Sequence, residues 1–130
     1  MAKLKILIVD DEQRVRDEIG EFLTENKFKV FKAGLPSEAY KILKENEIDI
    51  VILDIKLPEE SGLEVLQNIK KENIDTEVIM ISGHGDMNSV IEAMRKGAVD
   101  FFQKPFRLMD VFYSIQRTSK FITLTEKIKE

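Results

Sequence analysis

Ile6-Leu7-Ile8-Val9-Asp10-Asp11 and Ile50-Val51-Ile52-Leu53-Asp54 are the two stretches whose reading decides the fold. Each is a short apolar run that stops at carboxylates. A near-continuous apolar run of this length is the pattern of a strand buried on both faces, as in a parallel sheet covered by helices. If both runs are parallel strands of one sheet, their ends lie side by side, and Asp10, Asp11 and Asp54 converge at its rim. Repulsion and desolvation both raise carboxylate pKa values, so three acids at one spot need a reason. A bound cation is the usual one, and it makes the rim a candidate place for phosphoryl chemistry.

Outward from these runs, strand and helix patterns alternate. Residues 4–9 read as the first strand, and Val15, Ile19, Phe22 and Leu23 form a helical stripe after it. Phe28, Val30 and Phe31 make a lysine-interrupted run suited to an edge strand. Gly34 and Pro36 punctuate, and Ser37 with Glu38 opens a helix carrying Ala39, Ile42 and Leu43. Residues 49–53 are the third strand. Pro58 and Gly62 bracket a loop before the stripe Leu63, Leu66 and Ile69. Residues 77–81 are the fourth strand, Asp86 suits a helix N-cap, and Gly97 suits that helix's C-terminal stop. Residues 99–102 are the fifth strand, and a last helix carries Leu108, Val111, Phe112 and Ile115. Five strands alternating with five helices predict an α/β fold: one doubly wound parallel sheet with helices on both faces.

Composition narrows the function classes. The 130-residue chain is of single-domain size and has no cysteine, which excludes disulfides, zinc–thiolate sites and thiol catalysis. His84 is the one histidine, so a histidine-rich metal site is excluded too. The net charge is −4 with Lys and Arg scattered, which argues against direct nucleic-acid binding by this domain. Nothing has the length of a membrane span or the form of a signal peptide, so a soluble, cytoplasmic domain is expected.

In such sheets ligands sit beyond the carboxyl ends of the strands, where strand order reverses. For the order 2-1-3-4-5, that point lies between strands 1 and 3, the two that end in the acids. Strand 4 ends in the Ser82 hydroxyl and strand 5 in the Lys104 ammonium. Singly, each residue has a bland explanation: a helix cap or loop acid, a turn hydroxyl, a surface lysine. Their joint position on one rim outweighs those explanations.

At these residues the chain resembles the receiver domains of two-component response regulators. The matching positions are Asp10-Asp11, Asp54, Leu57-Pro58, Ser61-Gly62-Leu63-Glu64, Ser82 and Lys104-Pro105, covering about residues 4–120. The stretch 82–86, with Gly97-Ala98 and Asp100-Phe101, is most similar to receivers of sigma-54 activator, NtrC-like regulators. The resemblance implies a flavodoxin-like (βα)5 receiver with strand order 2-1-3-4-5. It implies that Asp54 accepts a phosphoryl group from a sensor histidine kinase or phosphotransfer protein. Asp11 and Asp54 would ligate Mg²⁺ directly, Asp10 mainly through water, and Lys56 through its backbone carbonyl. Lys104 and Ser82 would bind phosphoryl oxygens, and Phe101 would move inward to remodel a helix 4–strand 5–helix 5 face controlling an output such as transcription. Strand alternation puts Phe101 and Phe102 on opposite faces, so only one of them is expected to be half-exposed. Lys56 and His84 would border the path of attacking water; His84, between two glycines, reads first as an exposed, non-catalytic loop residue, and modulation of dephosphorylation by Lys56 and His84 is the alternative reading. The domain would be a signalling switch rather than an enzyme turning over small substrates.

Two other classes are weighed beside this one. A haloacid-dehalogenase-type phosphatase needs Asp-x-Asp after the first strand, where this chain reads Asp10-Asp11-Glu12. A flavodoxin-like electron carrier needs a Ser/Thr/Gly-rich phosphate loop there, which these acids would repel. A pseudo-receiver that only binds is disfavoured because every key residue is present. Residues 1–120 are expected to form the receiver. Residues 121–130 read as a helical extension or the start of a linker to an output domain. Leu108, Ile115 and Ile122 recur at sevens, as do Phe121 and Ile128, a spacing shared by coiled coils and amphipathic tails. Homodimerisation on phosphorylation is a further expectation.

Overall fold

The computed structural model describes residues 3–73, 75–83 and 85–129, and of residues 121 and 123–129 the backbone only. His84 lies outside the described residues. The elements are β1 (Lys5–Val9), α1 (Gln13–Glu25), β2 (Lys29–Ala33), α2 (Pro36–Glu45), β3 (Ile50–Asp54), α3 (Gly62–Glu72), β4 (Glu77–Ser82), α4 (Met87–Arg95), β5 (Asp100–Gln103) and α5 (Leu108–Lys129). The five strands are parallel in the order β2-β1-β3-β4-β5, as the alternating pattern predicts.

The pleat divides the apolar runs between two cores. Leu7, Val9, Val51, Leu53, Val78 and Met80 face one layer, where Ala39 and Leu43 of α2, Val65, Leu66 and Ile69 of α3, and Ala93 of α4 cover them. Ile6, Ile8, Ile50, Ile52, Ile79 and Ile81 face the other, covered by Ile19 and Leu23 of α1 and by Val111 and Ile115 of α5. Burial of each such side chain stabilises the fold by about 1.5–3 kcal/mol, which is why these runs contain no polar residue. Register then positions the acids. Val9 pairs with Leu53 across β1 and β3, so the next residues on the two strands are Asp10 and Asp54.

Several local expectations shift. Asp54 and Ser82 are the last residues of β3 and β4 and lie on the strands themselves, while β5 begins one residue late. Helix α2 starts at Pro36, which needs no N–H partner at the first helical position, and Ser37 lies inside the first turn. Leu35 at its N-cap has no side-chain acceptor; the Glu59 carboxylate of the β3–α3 loop accepts from Ser37 N at 3.0 Å and from Ser37 Oγ at 3.1 Å. Asp86 caps α4 by accepting from Ser89 N at 2.7 Å, and Gly97 beyond its C-terminus has φ +105°, a conformation that favours glycine. Phe101 and Phe102 do face opposite cores, but both are half-buried, because edge strand β5 is incompletely covered on either face. The last helix continues through Lys129, and its seam Leu108, Ile115 and Ile122 packs against this chain's own core. Among the described residues, no helix is long and apolar enough to cross a membrane.

Candidate functional site

The carboxyl ends of β1, β3, β4 and β5 bring Asp10, Asp54, Ser82 and Lys104 together. Asp10, Asp54 and Ser82 are buried, and Asp11, one residue further out, is exposed. Lys104 Nζ donates to Asp10 Oδ2 at 2.7 Å and to Asp54 Oδ2 at 3.2 Å, and lies 3.7 Å from Glu12 Oε1. Its main-chain N donates to the carbonyl of Ser82 at 2.7 Å, so the ends of β4 and β5 are tied just below the site. No buried side-chain polar atom among the described residues lacks a hydrogen-bond partner.

The three acids are unequal. Asp10 Oδ1 accepts from Glu12 N at 2.9 Å in an aspartate turn, and Oδ2 takes the lysine, so both oxygens are engaged. Asp54 Oδ1 accepts a long contact from Lys56 N at 3.4 Å. Burial, and then the neighbouring Asp10 charge, push the Asp54 carboxyl up to about 6 despite Lys104. Burial works against the Lys104 ammonium, yet hydrogen bonding to Asp10 and the Asp54 charge hold its pKa above the ordinary amine value. Asp10, Asp11 and Asp54 each offer one carboxylate oxygen, and those oxygens lie within 4.8 Å of one another. An all-oxygen, net-anionic donor set of this kind fits a hard divalent cation such as Mg²⁺.

The loop after Asp54 is held closely. Gly62 N donates to the Ile55 carbonyl at 2.7 Å, and a Cβ on Gly62 would stand 2.0 Å from the carbonyl oxygen of Asp54. Only glycine lets α3 start so near the β3 end. Glu60 of this loop accepts from the Tyr40 hydroxyl, which accepts from Asn68 Nδ2 at 3.0 Å. Desolvation is the main reason the Tyr40 phenol is pushed up to about 12. Sequence reasoning named Asp10, Asp11, Asp54, Lys56, Ser82, Lys104 and Phe101 but missed Glu12 beside the lysine, and Arg16, which donates to the Asp10 carbonyl. The available signal for Arg16 was its charge in the first turns of α1, where a cation opposes the helix dipole.

Comparison with known proteins adds an independent finding. The response regulator receiver domain matches residues 6–116. Transcriptional regulatory protein FixJ of Rhizobium meliloti is 35% identical over 127 residues, 97% of this chain and 62% of FixJ. This chain therefore spans less than two thirds of that relative's length. Chemotaxis protein CheY of Listeria monocytogenes is 39% identical over 118 residues, 90% of this chain and 99% of CheY. Among solved structures, the beryllofluoride-activated NtrC4 receiver domain dimer is 30% identical, with a TM-score of 0.87 over 91% of this chain and 98% of that one.

Proposed function

The chain belongs to the response regulator receiver domain family of two-component systems, and from that premise we propose that it accepts a phosphoryl group on Asp54 from a sensor histidine kinase or phosphotransfer protein. One observation carries the reading: a buried Asp54 that shares the Lys104 ammonium with Asp10, with the Asp11 carboxylate at its mouth. The family match sets aside the phosphatase and flavodoxin alternatives.

An Asp54 carboxylate oxygen attacks phosphorus on the partner's phosphohistidine; the P–O bond forms, the P–N bond breaks, and the departing imidazole takes up a proton. Asp11 and Asp54 would hold Mg²⁺ through carboxylate oxygens and Lys56 through its backbone carbonyl. Asp10, with both oxygens engaged, acts through a bound water. When bound, the ion would supply charge neutralisation on the phosphoryl oxygens and on Asp54. Lys104, already in contact with Asp54, redirects its ammonium hydrogen bond to a phosphoryl oxygen, and Ser82 donates its hydroxyl hydrogen bond to another.

Phosphorylation adds about −1.5 to −2 charge and three acceptor oxygens. Drawing Ser82 toward them pulls the β4–α4 loop, and Phe101 moves inward from its half-buried place. The equilibrium of the α4–β5–α5 face shifts by the difference in contacts between the two states. That face exposes Met87, Ile91 and Met94 on α4 and Tyr113 on α5, apolar surface suited to a protein partner. With phenylalanine at position 101, no hydroxyl reports the state.

The output proposed is transcription, through a further domain of a longer cytoplasmic regulator, with the C-terminal end of α5 leading toward it. FixJ, a transcriptional regulator longer than this chain, supports that reading. The NtrC4 receiver dimer supports phosphorylation-dependent homodimerisation. Self-phosphorylation from small donors and autodephosphorylation of Asp54 complete the proposed chemistry, the latter modulated by Lys56 and His84; equal acyl-phosphate decay in wild type, Lys56→Ala and His84→Ala removes those two roles. Incubation with acetyl phosphate or phosphoramidate and Mg²⁺, followed by intact mass, tests the core. A gain of about 80 Da, one phosphoryl group, is expected in wild type and not in Asp54→Asn. No gain in wild type with either donor overturns the proposal.

A further inference from the structure

Arg16 stands in the first turns of α1, which has no acid in its first turn to offset the charge. Its Nη1 donates to the main-chain carbonyl oxygen of Asp10 at 2.7 Å. That oxygen belongs to the peptide joining Asp10 to Asp11, so its direction governs how the Asp11 side chain leaves the backbone. The Asp10 carboxylate is already oriented by Glu12 N and Lys104 Nζ. Asp11 is exposed, and its aim depends on the peptide from which it hangs.

Gly34, in the β2–α2 loop, closes the arrangement from the far side. A Cβ there would lie 3.0 Å from Arg16 Nη1, and Gly34 N donates to Glu38 Oε1 at 2.9 Å. The guanidinium is thus wedged between the loop that carries the acids and a loop anchored on α2. A flexible ammonium could not fill this place in the same way, because the planar guanidinium offers donors in a fixed fork.

The structure assigns Arg16 as a positioning residue for the divalent-cation site: through the Asp10–Asp11 peptide it aims the Asp11 carboxylate at Asp54. This rests on the reading of Asp10, Asp11 and Asp54 as the Mg²⁺ site. A purely structural staple between α1 and the β2–α2 loop would change unfolding but leave cation affinity alone, and that difference separates the two roles.

The test is Mg²⁺ titration of the whole chain by calorimetry at fixed ionic strength, beside phosphoryl uptake from acetyl phosphate at graded Mg²⁺. Arg16→Gln is expected to weaken Mg²⁺ binding about tenfold, the low end for outer-shell partners of metal ligands. The half-saturating Mg²⁺ for uptake rises in step, while the rate at saturating Mg²⁺ falls far less. Arg16→Lys loses less affinity than Arg16→Gln. Gly34→Ala, which crowds the guanidinium, weakens Mg²⁺ in the same direction, and combining it with Arg16→Gln adds nothing more. If Arg16→Gln proves too unstable to titrate, Arg16→Lys and Gly34→Ala carry the test. Equal Mg²⁺ affinity in wild type and folded variants overturns the positioning role and leaves the cation site standing. Absence of Mg²⁺ binding by wild type overturns the site, and the role with it.

Discussion

Burial and the Asp10 charge hold the Asp54 carboxyl at about 6, whereas an aspartate in an unfolded chain titrates near 3.8. The folded state therefore binds this proton more tightly than the unfolded chain does. The stabilising contribution of the group is full below about pH 4 and is lost as pH rises through about 6. The difference between 3.8 and about 6, reduced for solvent at the open rim, corresponds to roughly 1–2 kcal/mol. Without divalent cations, Asp54→Asn is expected to be more stable than wild type by about that amount at pH 7. The gap should close below about pH 4, in urea unfolding with a chelator present. An Asp54→Asn variant less stable than wild type at pH 7 would show that pairing with Lys104 outweighs the burial of charge. The location of these acids was legible in sequence because each ends an apolar run. Their inequality was not, since it comes from which oxygens Glu12 N and Lys104 Nζ occupy, and the lysine is 94 positions from Asp10.

Helices α2 and α3 show how elements hold the site between them. The β3–α3 loop leaves Asp54, supplies Glu59 to the uncapped start of α2, offers Glu60 to Tyr40, and enters α3 at Gly62. Glu59 does this at φ 70°, a conformation uncommon for a residue with a side chain. Gly62→Ala would place a methyl group against main-chain atoms of Asp54 and Ile55, which cannot swing aside as a side-chain end can. Its expected cost is about 2–3 kcal/mol of stability by urea unfolding, the upper part of the range for overpacking, together with weaker Mg²⁺ binding as the loop shifts. An alanine variant with wild-type stability and affinity would show that the loop yields freely. In sequence, Pro58 and Gly62 were readable as punctuation and Asp86 as a cap, because those signals act within a few residues. The start of α2 lies one residue before the Ser37 that the sequence suggests, and the acceptor serving that first turn, Glu59, is 22 positions away.

At the scale of the whole molecule, α5 raises the question of where the domain ends. Ile122 packs against the same core as Leu108 and Ile115, beyond the boundary near residue 120 that the sequence pattern proposes. Removing residues 120–130 is expected to lower stability by about 1 kcal/mol, the scale for exposing a half-buried isoleucine. Equal urea midpoints for the full and shortened chains would put the end of the folded unit before Ile122. The sequence by itself determined the doubly wound sheet, its two cores and the rim on which the acids, hydroxyl and lysine meet, because strand period and strand-end position are local properties that parallel pairing converts into proximity. Tertiary structure alone decided which acid is buried, which oxygen takes the lysine, how Arg16 reaches the Asp10 carbonyl, and that the seven-residue seam of α5 faces this chain's own core. Those outcomes depend on loop paths and on desolvation by distant neighbours, which no local pattern encodes.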